Sequence, residues 1–136
     1  MFRSIIVPVD IAQKEKAAAM IAAARQLLDK DGTLTLCNVV DVVSSYELIE
    51  VAGPLRTQLT EDARAQLTTL AEAEGLKADI EVHVGHPANT ILDLARQRQA
   101  DCIVIASHRP GLQDYFLGST AARVVRHATC SVLVLR

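Results

Sequence analysis

Apolar positions along this chain follow two patterns that take turns. Four near-continuous runs, Ser4–Val9, Thr33–Val40, Cys102–Ala106 and Ser131–Leu135, lack the polar alternation of a half-exposed strand. A fifth and weaker one is Asp79–Val84, DIEVHV. Such runs suit strands covered on both faces, as in a parallel sheet. Between them the apolar residues recur at helical spacing. Residues 13–30 place Ala17, Ile21, Ala24 and Leu28 on one stripe and stop at Gly32; residues 56–74 repeat Leu59, Ala63, Leu67 and Leu70 before Gly75. Residues 88–99 follow Pro87 with Ile91, Leu92 and Ala95, and residues 119–128 carry Ala121, Val124, Val125 and Ala128.

Strand and helix therefore alternate from end to end. That order predicts an α/β fold: one doubly wound, five-stranded parallel sheet with right-handed crossovers and helices on both faces, Rossmann-like, over residues 1–136 as one domain. Val43–Leu55 is the only long irregular connection, either a cover over a ligand or a tolerated insertion.

Ligands of open α/β sheets collect beyond the carboxyl ends of strands, where strand order reverses. Two strand ends here carry unusual chemistry: Pro8-Val9-Asp10 after the first and Ala106-Ser107-His108-Arg109 after the fourth. If those strands are neighbours, both ends flank one crevice. Pro8 lacks an N–H and is expected where the chain leaves the sheet. Asp10 suits a ribose hydroxyl or an adenine amino group, or else turn and capping chemistry. The backbone of Val39, late in the second strand, suits an adenine edge. Gly118-Ser119-Thr120 opens the last helix with Ser119 as an N-cap residue. This is either a plain capped start or, with Arg109 and Gly111 upstream, an anion site of unpaired amides at a positive dipole end.

Composition narrows the field. Half of the 136 residues are hydrophobic and 22% are charged, which is globular. A net charge of -2 and 3% aromatics leave neither the field nor the stacking surface for nucleic acid, and no nucleic-acid or membrane partner is expected. The longest apolar run, Ala17 to Ala24, is too short to span a bilayer. MFRSIIVPVD reaches Pro8 and Asp10 too soon for a secretory segment. Cys37, Cys102 and Cys130 form no CxxC pair and read as free thiols of a reducing, cytoplasmic protein. GxxxxGK[ST] and GxGxxG are absent. His83 and His86 stand at HxxH spacing with no third ligand, so no metal is expected. No general base and no lysine aimed at phosphates is evident, so no catalytic residues are assigned. Finally, SVLVL is free of charge; as a sheet edge it invites pairing with a second copy.

IIVPVD at the start, the turn Gly85-His86-Pro87, and LGSTAARVVRHATCSVLVLR at the end together resemble the universal stress protein family over essentially the whole chain, in a form with an ASHRPG-type loop. The resemblance implies strand order 3-2-1-4-5, a cytoplasmic homodimer through the last strand (Ser131–Leu135), and ATP, with or without Mg, as cofactor. Hydrolysis would be slow at most, in the service of stress tolerance. By position it implies adenine and ribose contacts from Pro8, Val9, Asp10 and the backbone of Val39. Ribose and phosphate contacts would come from Ala106, Ser107, His108 and Arg109, and further phosphate contacts from Gly118, Ser119 and Thr120. The family pattern G-x2-G-x9-G-[ST] is altered: Ala106 and Arg109 replace its first two glycines, Pro110 follows, the loop is one residue shorter, and Ala12 stands where a serine is common. Nucleotide-independent members exist, and this alteration keeps that alternative open.

Overall fold

The computed structural model describes residues 1–41, 53–107 and 117–136. Strands β1 (Phe2–Pro8), β2 (Leu28–Asp41), β3 (Asp79–Gly85), β4 (Cys102–Ala106) and β5 (Ser131–Leu135) form one sheet in the order β3-β2-β1-β4-β5. Every pairing is parallel. Helices α1 (Lys14–Leu27), α2 (Gly53–Ala73), α3 (Pro87–Gln97) and α4 (Ser119–His127) connect them.

The continuous apolar runs are explained by two cores, one on each face. Ile5, Val7, Leu34, Leu36, Cys102 and Val104 point towards α1 and α2, where they meet Ala17, Ile21, Ala24 and Leu67. Ile6, Cys37, Ile103 and Ile105 point the other way, against Ile91, Leu92, Ala121 and Val124 of α3 and α4. Alternate residues of each central strand are thus equally buried, which removes any polar alternation.

Three expectations need correction. Helix α1 ends at Leu27, so Leu28 belongs to β2 and Gly32 lies inside that strand rather than ending a helix. The β1–β2 register slips there, from Phe2↔Leu28 to Ser4↔Thr33, so β2 carries extra residues in an irregularity. Gly32 suits it, since a Cβ would fall 2.6 Å from Leu28 Cδ1 and 3.0 Å from the Asp29 carbonyl oxygen. Next, Gly53–Leu55 are helical rather than irregular, because Pro54 is compatible with a first helical turn. The remainder of the irregular connection expected over Val43–Leu55 lies outside the described residues. Last, Val125 was expected on the apolar stripe of α4, yet it is 46% exposed while Val124 is fully buried. No described helix is long and apolar enough to cross a membrane.

Candidate functional site

The switch point of this sheet lies between β1 and β4, whose flanking connections run to opposite faces. At its carboxyl end opens a cleft of about 610 Å³, within the usual size range for small-molecule sites. Its walls come from the end of β1 (Pro8, Val9, Asp10), the end of β2 (Asn38, Val39, Asp41), the N-cap Gln13 and α1 (Lys16, Met20), α3 (Pro87, Ile91), β4 (Ile105, Ala106) and the start of α4 (Thr120).

Pro8 pairs with Cys37 as the last residue of β1, where its missing N–H costs nothing. Val9 N–H donates to the Cys37 carbonyl at 2.7 Å, and Asn38 Nδ2 donates to the Val9 carbonyl at 2.9 Å. These bonds fasten the strand end as β1 peels away. β2 runs on from Asn38 to Asp41 beyond its last β1 pair, with Val39 registered against His83 of β3. Asp10 does perform turn chemistry: its Oδ1 accepts from Ala12 N–H at 3.0 Å. Oδ2 has only a long 3.5 Å contact from Gln13 Nε2, which leaves acceptor capacity facing the cleft.

Ala106 ends β4, and Ser107 is fixed just beyond it by its N–H, which donates to the Leu135 carbonyl at 2.7 Å. His108 and Arg109 lie outside the described residues. At α4 the N-cap is Gly118 rather than Ser119, and no side chain caps the helix. Ser119 is already in the first turn because Gly118 supplies the capping carbonyl, accepting from Ala122 N–H at 2.9 Å. Among the described residues, the first-turn amides therefore have no side-chain cap. An adjoining recess of about 420 Å³ shares Asp41, Pro87 and Thr120 with the cleft and adds Ser119, His86 and Arg123. It lies between the N-termini of α3 and α4.

The structure thus gathers Pro8, Val9, Asp10, Val39, Ala106 and Thr120 around one cleft, with Ser119 beside it in the recess. Lys16 was missed. It lies on α1 and its Nζ donates to the Ser107 carbonyl at 2.9 Å, so a lysine lines the cleft. In sequence it is one of three consecutive charges, Lys14-Glu15-Lys16, and nothing in that string marks which one turns inward.

Cys37 forms part of the cleft floor, and burial pushes its thiol up to about 12, with the Glu81 charge adding to the rise. It is a closed, protonated floor residue rather than a nucleophile. His83 is spent elsewhere, with Nε2 at 2.7 Å from Glu81 Oε2. Among the described residues, no group of three or more His, Cys, Asp or Glu side chains is placed to hold a metal.

Comparison with known proteins agrees with this architecture. A family model described as the universal stress protein family matches residues 1–136. Universal stress protein G of Salmonella typhimurium is 32% identical over the full length of both chains. Among solved structures, the hypothetical protein MJ0577 superimposes with a TM-score of 0.81 at 24% identity, covering 99% of this chain and 96% of that one. A universal stress protein in complex with cAMP gives a TM-score of 0.60 at 22% identity, covering 99% of this chain and 97% of its own. On its sequence, its strand order and these likenesses, the chain belongs to the universal stress protein family.

Proposed function

We propose that this protein binds ATP in the switch-point cleft, as a cytoplasmic homodimer acting in stress tolerance, with hydrolysis slow at most. The observation that carries the reading is the convergence of five chain segments on one cleft of nucleotide size. Asp10 offers a carboxylate oxygen to ribose hydroxyls, and the stretch of β2 beyond its last β1 pair offers Val39 main-chain groups to an adenine edge. The uncapped start of α4, at Gly118, Ser119 and Thr120, offers amides and a positive dipole end to phosphates. Ala106 and Ser107 flank it, and the family resemblance adds His108 and Arg109. A fold relative solved with cAMP is in keeping with this, since cAMP shares adenine, ribose and phosphate with ATP. Mg bound with ATP would be held mostly by phosphate oxygens and water, with Asp10 or Asp41 as the carboxylate at hand. Pairing between two copies of β5 would satisfy an edge that carries no charged residue.

Calorimetric titration with ATP and AMP tests the reading. The unaltered protein is expected to bind both, and Gly118→Leu to lose binding while its circular dichroism is unchanged. A second reading, a nucleotide-independent dimeric interaction protein, is favoured by the replacement of the loop glycines with Ala106 and Arg109. Freshly purified protein that releases no adenine absorbance on denaturation and ignores added ATP would establish that rival.

A further inference from the structure

Lys16 is the one cationic residue lining the cleft among the described residues, and Asp10 and Asp41 line it as well. An ammonium in the cleft is where a phosphate oxygen would find a charged donor, and Arg123 lies apart from it in the adjoining recess. Lys16 is well placed for the task. Nζ donates to the Ser107 carbonyl at 2.9 Å, and Ser107 is itself held by its N–H on the Leu135 carbonyl at 2.7 Å. The lysine is thus parked on a fixed strand end rather than waving in solvent. An ammonium has three donors, and among the described residues this contact uses one of them. Lys16 also sits in the first turn of α1, where the helix dipole disfavours a cation. Helix stability therefore does not explain a lysine here.

We propose that Lys16 reads the phosphate of the bound nucleotide. Its ε-ammonium contacts a phosphate oxygen, and by doing so makes the cleft select phosphorylated nucleosides over free nucleosides. This deepens the nucleotide reading above and rests on it. The cation comes from a helix rather than from the loop between β4 and α4. Lys16 is a specificity-determining residue in this account and takes no part in bond breaking.

The test is calorimetric titration of ATP, AMP and adenosine into the unaltered protein, Lys16→Met and Lys16→Arg, each first checked by thermal melting. Lys16→Met is expected to weaken ATP and AMP by about tenfold or more, the ordinary worth of a charge-assisted hydrogen bond, and to leave adenosine unchanged. Lys16→Arg is expected to recover most of the loss. Equal weakening of adenosine and AMP would show that Lys16 merely braces α1 against β4, which overturns the proposal. Unchanged ATP affinity in Lys16→Met would overturn it while leaving the nucleotide reading intact. Failure of the unaltered protein to bind ATP would overturn both.

Discussion

The side chain of Thr35 is fully enclosed on β2, in register with Ile6 of β1, and its hydroxyl has no hydrogen-bond partner among the described residues. A hydroxyl desolvated without compensation is a net cost. Thr35→Val keeps the branched shape and removes that cost, so it should raise unfolding stability by about 1 kcal/mol in urea titration. A loss of stability instead would reveal that the hydroxyl serves a partner. Single residues were unevenly legible in the sequence. Pro8 and Asp10 announce a strand end because each breaks an apolar run in its own way. Lys16 stayed hidden because its direction depends on how α1 is rotated against the sheet, which is set by Ala17, Ile21 and Ala24 packing on the core.

At the scale of elements, the junctions carry most of the polar design. Arg98 follows α3 and grips β3, with Nη1 on Asp79 Oδ2 at 2.6 Å and Nη2 on Glu81 Oε1 at 2.7 Å. The Arg98 hydrogen bond lowers the Glu81 pKa; partial burial opposes it and His83 adds to the lowering. At the start of β1, Asp101 accepts from the backbone amides of Arg3 and Ser4 at 2.9 and 3.0 Å. Desolvation pushes that carboxyl up, but the two amides overcome it and its pKa is also lowered. A carboxyl lowered on folding stabilises the native state above its unfolded pKa, and that contribution drains away as pH falls through the folded value. Both junctions should therefore weaken only below the ordinary carboxylate range. Arg98→Ala should cost about 1 kcal/mol at neutral pH and move acid unfolding, followed by circular dichroism, to higher pH. An acid transition that does not move would show the Arg98 contacts to be energetically idle.

Element boundaries show where the sequence speaks plainly and where it does not. The end of α2 is marked by Gly75 at φ +60, the usual left-handed terminator. The same job after α3 falls to Gln99 at φ 51, a residue that carries no such signal. Leu28 continued the stripe of α1 so well that the helix looked longer than it is. The competing pull was pairing with Phe2, a contact distant in sequence that no local pattern records.

For the molecule as a whole, fold class and strand order needed little beyond the alternation of apolar runs and helical stripes and the family resemblance. The cleft needed the sheet order, since only the adjacency of β1 and β4 brings their ends together. The homodimer reading has a direct test at this scale. Leu135 turns its carbonyl towards Ser107, so the neighbouring Val134 directs its own N–H away from β4. Val134→Pro removes that outward donor without touching the β4 ladder, a placement edge strands tolerate. Sedimentation equilibrium should show a folded monomer in place of a dimer. A dimer unaffected by the proline would move the interface elsewhere.

The two margins of the sheet are unlike. β3 is studded with Asp79, Glu81 and His83, and Arg64 of α2 donates to its Ile80 carbonyl at 3.3 Å. β5, SVLVL, carries no charged residue. A charge-free margin laid head to tail against one that carries Asp79, Glu81 and His83 would have to desolvate those groups, which disfavours endless stacking of copies into a fibre. The pairing proposed above, like against like, would consume both bare margins and stop growing at two. A handful of charges on one border would then set the ceiling on assembly at the opposite border.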